Sequence, residues 1–210
     1  MRAGERLIAS DGYEVCLFFM PYLNISQKEG IGTHEDTWNI DYLGWDANGR
    51  VYNAPIYAPV SCHCVFAENS YGSANARVFQ SNNLVHLADG TLNYCCFEIA
   101  HDPSPIASVG SSYTQGDVIG KTGAYGGGAT GDHVHTAMAR GTWAGFDNTG
   151  SHQQLNNAMH QYDGFYINDT VIIDGAGYNW KTWSDPSPTP TGSSKFPWYI
   201  YFRKRRNLWK

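Results

Sequence analysis

Apolar and polar positions along the chain alternate in short runs far more often than they recur at helical spacing. Within residues 55–66, Ile56, Ala58 and Val60 fall on one set of alternate positions, the pattern of a half-buried strand. Val78 and Phe79 centre another short strand over Arg77–Gln80. Residues 84–88 and 91–100 flank Asp89-Gly90, a type I′ turn signal, and so predict a hairpin. Further strands are expected at Asp117–Gly120, His133–Ala139 and Val171–Ile173. Between two of them, Gly123–Gly131 carries five glycines in nine residues, so its backbone can approach a neighbour closely. One helix is predicted, because Ser151 with Gln154 makes a capping-box pattern and Leu155, Ala158, Met159 and Tyr162 follow at helical spacing. The fold class is therefore mainly β, an antiparallel sheet with one short helix and long loops.

Composition agrees: 23 Gly, 9 Pro and 14% aromatic residues suit turns and short strands. With 210 residues, 42% hydrophobic and 16% charged, the chain can bury a core of its own as one domain or a domain with an appendage. The pattern changes at Asp185–Ser194, where DPSPTPTGSS has three prolines and no large apolar side chain. The expected division is a domain over 1–185 (its motifs within about 30–140), a Pro/Ser/Thr linker over 186–194 and an aromatic, basic tail over 195–210.

The formal charge of −5 argues against general nucleic-acid binding, but it is unevenly spread. Lys195, Arg203, Lys204, Arg205, Arg206 and Lys210 are six of the fourteen basic residues, with no acid among 195–210. The remainder holds eight basic against nineteen acidic groups, a charge of −11. No apolar run reaches the roughly 18–20 residues that span a bilayer. The start, with Asp11 and Glu14 ahead of a short apolar patch, is a poor signal peptide, so a cytoplasmic origin is expected. Five cysteines (Cys16, Cys62, Cys64, Cys95, Cys96) are then expected as buried, reduced thiols.

Candidate chemistry sits in the histidines. His133-Val134-His135 lies in a predicted strand, so both imidazoles leave the same face with Cα atoms roughly 6.5 Å apart. Such a pair can share a metal, or set a ligand beside a catalytic base. Asp41, flanked by Ile40 and Tyr42, is a carboxylate in an apolar setting that a metal ion or backbone hydrogen bonds could compensate. His34 precedes it by a six-residue gap, and His101 closes the long strand of the hairpin. His63, His86, His152 and His160 read as packed or solvated. Trp38, Trp45, Trp143, Trp180 and Trp183 are mostly core, with one or two expected to line a substrate groove.

In order, Thr33-His34 with Asp41, Ala54-Pro55-Ile56-Tyr57-Ala58-Pro59, Ile99-Ala100-His101, the Gly-rich stretch Gln115–Gly123, and Thr130-Gly131-Asp132-His133-Val134-His135 resemble the lysostaphin-like (LytM-type) zinc metallo-endopeptidases. Those enzymes cut bacterial cell-wall peptide. Two departures are visible: the enlarged His34–Asp41 gap, and Thr136-Ala137-Met138-Ala139 where many relatives carry an aromatic and an acid. The resemblance implies that His34, Asp41 and His135 bind one Zn2+ with a fourth position left for water, as in catalytic sites. It gives His101 and His133 to catalysis, as general base and oxyanion stabiliser in either order. Spacing alone does not choose between His133 and His135 as ligand.

The linker and tail are, more weakly, similar to tail-knob-associated wall peptidases of phages. That likeness implies a phage-encoded peptidoglycan endopeptidase for wall penetration or lysis, with bacterial peptidoglycan peptide as substrate. It also implies virion association through a phage tail protein docked by residues 195–210. A non-catalytic wall-binding or structural virion domain of the same fold is the alternative; a complete metal and catalytic set favours the enzyme.

Overall fold

A computed structural model describes residues 4–68, 74–126, 129–148 and 153–186. The linker beyond Pro186 and the whole tail, along with Ser151 and His152, lie outside the described residues.

Eight strands form the main sheet: β1 (Tyr22–Gln27), β2 (Ile40–Tyr42), β3 (Cys62–Ala67), β4 (Arg77–Ser81), β5 (Cys95–Ala100), β6 (Ser112–Tyr113), β7 (Val134–Arg140) and β8 (Val171–Asp174). They run in the order β6-β3-β4-β5-β7-β2-β1-β8. All neighbours are antiparallel except β8, which joins β1 in parallel at the sheet's end. Shorter strands of two to four residues form small separate sheets, among them Pro55–Tyr57 against Val118–Lys121. No helix of the described residues is long and apolar enough to cross a membrane.

Alternation decides what each strand buries. Phe97 and Ile99 of β5, Val134 and Met138 of β7, Ile40 and Tyr42 of β2 and Phe79 of β4 all enter the main core. There they meet Phe18, Phe19 and Phe165 and the predicted set Ile56, Ala58 and Val60, each of that set fully buried. Phe79 stacks on Phe97 at 5.2 Å between ring centroids. Each such ring withdraws enough apolar surface from water to contribute about 1.5–3 kcal/mol. On the opposite face Val78, Cys96, Ala137, Ala139 and Leu155 make a second, smaller cluster against Phe66, Trp143 and Phe146. The adjacent Cys95 and Cys96 thus enter different clusters, and all five cysteines are buried and unpaired.

Two expectations need correction. The predicted hairpin exists, but Leu87 N–H bonds the Thr91 carbonyl around a three-residue loop in which Gly90 takes φ 88°. Its outgoing strand also breaks at Tyr94: Leu92–Asn93 pairs with Val85–His86, whereas β5 begins at Cys95 in the main sheet. The helix predicted from the Ser151 cap to Tyr162 is, over 154–162, mostly extended chain. Gln154–Leu155 pairs with Phe146–Asp147, Asn157 turns at φ 59°, and Ala158 bridges Ala139 beside β7. Leu155 and Met159 mimic a helical stripe but enter different clusters, and only α1 (Gln161–Gly164) is helical.

Candidate metal centre

The site lies on the sheet face away from the main core. Ile40 and Tyr42 are fully buried in that core, so Asp41 between them must leave by the other face. Asp41 stands directly opposite His135 across β2 and β7, where side chains on paired strands meet. His34 arrives from the enlarged His34–Asp41 segment, on a 3-10 turn (Gly32–His34). The His34 carbonyl accepts from Gly30 N–H and Thr37 Oγ1, which ties that segment down.

Three ligand-type atoms converge. His34 Nε2 is 3.1 Å from His135 Nδ1 and 3.3 Å from Asp41 Oδ1, and His135 Nδ1 is 3.0 Å from the same oxygen. His34 and Asp41 are buried. Burial disfavours the Asp41 charge, yet hydrogen bonds from His135 and His34 and their charges outweigh it, holding the carboxyl well below its usual range. For His135, burial is likewise outweighed by Asp41, which raises the imidazole.

The donor set fits a cation. Two imidazole nitrogens and a carboxylate oxygen on so small a triangle are held either by protons shared between them or by one cation among them. A tetrahedral ion with bonds of about 2.0–2.2 Å separates its ligands by about 3.3–3.6 Å, close to the edges observed. His34, Asp41 and His135 are accordingly the one metal-competent group of His, Cys, Asp and Glu among the described residues.

His101 and His133 close the other side. Their rings are 4.6 Å apart, and His101 is 6.0 Å from the His135 ring. His101 Nδ1 lies 2.9 Å from the Tyr125 carbonyl and His133 Nδ1 lies 2.7 Å from that of Gly131. A carbonyl only accepts, so each ring carries its proton on Nδ1 and, when neutral, offers the Nε2 lone pair. Burial pushes His101 down to about 4, so it is neutral near pH 7. His133 Nε2 is 3.6 Å from Asp41 Oδ2.

Backbone details hold these two residues. His101 adopts φ 74°, a left-handed conformation uncommon for a residue with a side chain, fixed by Ala74 and Tyr125 on either side of its peptide. Gly123 makes both backbone hydrogen bonds to His133, and a Cβ there would stand 2.4 Å from the His101 carbonyl oxygen. The Gly-rich loop is thus required for close approach at this position. Asp132, just before His133, accepts from Thr122 Oγ1 and Asn53 N–H.

All five residues singled out by sequence therefore meet, in a groove of about 460 Å³ that Gln27, Thr33, Asn39, Glu68 and Glu98 also line. No tryptophan lines it among the described residues, contrary to expectation. Trp180 packs on Phe18 in the core, and Trp143 joins the second cluster. His160, expected to be solvated on a helix, instead stacks between Trp38 and Tyr162 and bonds Glu29. The sequence reading missed Glu98, although its parity with Ala100, and so with the site face, was a usable signal.

What the geometry defines is a β-sheet domain bearing a two-histidine, one-aspartate metal-type site faced by two further histidines. No protein-family model matches the chain. Among curated proteins, morphogenesis protein 1 of Bacillus phage B103 is 33% identical over 192 residues, covering 89% of this chain and 50% of that protein. The chain thus spans about half the length of the curated relative it matches. Among solved structures, the catalytic domain of lysostaphin from Staphylococcus simulans is similar at 19% identity and TM-score 0.41, over 68% of this chain and 84% of that one. The catalytic domain of the prophage-encoded M23 protein EnpA from Enterococcus faecalis is similar at 19% identity and TM-score 0.41, over 59% and 88%. The structural neighbours are thus similar to this chain in fold, and include lysostaphin itself.

Proposed function

We propose that the chain is a zinc endopeptidase that hydrolyses peptide bonds of bacterial peptidoglycan. The observation that carries this reading is the convergence of His34 Nε2, Asp41 Oδ1 and His135 Nδ1 beside His101 and His133 on one groove wall. His34, Asp41 and His135 would hold the ion. When bound, zinc supplies Lewis acidity, polarising a carbonyl and bringing the pKa of water towards ~7. His101 takes up the proton: its Nδ1 hydrogen is committed to Tyr125, its ring is neutral, and its Nε2 is free to accept. His133 holds its Nδ1 hydrogen on Gly131, so its Nε2, beside Asp41, donates to the developing oxyanion in the doubly protonated form of the ring.

The phage relative supports a phage-encoded, virion-associated enzyme that opens the wall during infection or lysis. In the same reading, residues 1–185 are the catalytic domain, 186–194 a tether and 195–210 a dock on a phage tail protein. An extended nine-residue Pro-rich linker reaches up to about 28 Å at ~3.1 Å per residue. Deleting residues 186–210 should leave hydrolysis of a small soluble wall peptide intact and weaken retention on virions. Loss of turnover on the small peptide would join the tail to the catalytic unit.

The central test pairs elemental analysis with peptide release from purified wall sacculi. About one zinc per chain is expected, lost in His34→Ala and in His135→Ala. Stoichiometric zinc persisting in both variants overturns the ligand set. Zinc-loaded protein that binds sacculi without releasing peptide would instead make it a non-catalytic wall-binding domain.

A further inference from the structure

The groove floor carries a carboxylate that the hydrolytic scheme leaves unused. Along β5, Phe97 and Ile99 enter the core, whereas Cys96, Glu98 and Ala100 belong to the opposite face. Ala100 faces His135 and Glu98 faces Ala137, so Glu98 sits one step of the ladder from the metal-type triangle. It is only 8% exposed and lines the groove. Among the described residues no hydrogen bond or ion pair reaches its carboxylate. The neighbouring cation, Arg77, pairs with Ile99 and gives its guanidinium to the carbonyls of Ala107, Glu68 and Ala76.

Buried carboxylates ordinarily have partners. Burial here raises the Glu98 carboxyl, the charge of His135 opposes that rise, and the charge of Glu68 adds to it. Glu68 lines the same groove, and no lysine or arginine does among the described residues. Ala74, Ala76 and Ala100 line it too, and their small side chains leave room for a group to reach the floor. The Glu98 carboxylate is thus left facing whatever enters the groove.

We propose that Glu98 forms the floor of a subsite for a protonated primary amine of the peptide substrate. The proposal rests on the endopeptidase reading of this groove. Two residues along a strand cover roughly 6.6 Å, and an extended substrate advances equally. The amine therefore belongs to a residue about two positions from the cleaved bond. Glu98 is a specificity residue here, acting on a part of the substrate remote from the reacting atoms.

The test uses a short wall-type peptide bearing a lysine two residues from the cleaved bond, and its Nε-acetyl form. Metal-loaded full chain and Glu98→Gln are compared by kcat/KM on both peptides and by calorimetric binding. The full chain should prefer the free amine by about ten- to a hundredfold, the range of a charge-assisted hydrogen bond, chiefly through KM. In Glu98→Gln the preference should collapse to about one, while Glu98→Asp should keep part of it. A full chain indifferent to acetylation, or a preference that survives in Glu98→Gln, overturns the proposal. So does an equal loss on both peptides, which would mean that Glu98 orients His135. If neither peptide is cleaved, the endopeptidase reading fails, and calorimetry still decides: amine-dependent binding lost in Glu98→Gln supports the subsite, and its absence from the full chain overturns it.

Discussion

Phe97, Ile99 and Met138 leave one face of the main sheet, and Glu98, Ala100, Ala137 and His135 leave the other, from the same two strands. The first face is filled by aromatic and aliphatic side chains packed against Phe18, Phe19 and Phe165. The second has small residues beside charged and imidazole groups, and a groove lies over it. Period-two alternation lets one strand serve both faces, so the ladder that aligns the core also sets His135 opposite Asp41. The core face can exchange one apolar group for another of similar volume. The groove face cannot, because its ligand-type atoms must stand 3.0–3.3 Å apart to suit a single ion.

That contrast breaks most sharply at Asp41. Asp41→Ala should abolish zinc binding and reduce wall hydrolysis to background, while circular dichroism stays native; retained stoichiometric zinc would show that the carboxylate is dispensable. Next come His101→Ala and His133→Ala, each expected to keep zinc and to lose about 10²–10⁴-fold in turnover. Metal release from either one would move it into the ligand set. On the opposite face, Phe97→Ala should cost about 3–5 kcal/mol of stability in denaturant titration, with the folded fraction still binding zinc. Failure of that fraction to bind would show that the two faces are not separable.

Gly123→Ala should have a smaller effect, about 1–3 kcal/mol of overpacking, because the added methyl meets the His101 carbonyl and Pro103. It should slow turnover more than it lowers zinc content, since Gly123 touches His101 and His133 and no proposed ligand. The smallest effect is in pH. His101 falls from 6.5 to about 4 through burial, so the unfolded chain binds more protons between these values. This residue's contribution to stability is complete above about pH 6.5 and is lost as pH falls towards 4. Melting of metal-free protein across that range should show a steeper acid loss than His101→Gln, and parallel curves would remove burial of this ring as the cause.

The sequence makes the site more legible than the fold around it. His34, Asp41, His101, His133 and His135, singled out by motif order and resemblance, stand together on one groove, because few residue types bind metals or move protons and their order along the chain is distinctive. The core strands Arg77–Ser81, Val118–Lys121 and Val134–Arg140 were readable to within a residue or two, since alternation is a local signal. The helix over 154–162 failed because Leu155 and Met159 serve two different clusters, a tertiary fact that spacing does not encode. Glu98 was signalled only by its parity with Ala100, and its place in the groove depends also on which strands flank it. Asn157 and His101 take positive φ without being glycine, and nothing in their neighbours' sequence announces it.

The buried cysteines turn the two faces into a pair of clocks. Cys16, Cys62, Cys64 and Cys95 lie in the main core, and Cys96 lies alone among them in the cluster on the groove face. Burial raises the Cys16, Cys62 and Cys64 thiols, and it pushes Cys96 up to about 12. An alkylating reagent attacks thiolate, so each sulfur stays silent until the layer above it opens. Modification of Cys96 ahead of the others would time a local opening of the groove side. Simultaneous modification of all five would time unfolding of the whole domain, with no label introduced by mutation.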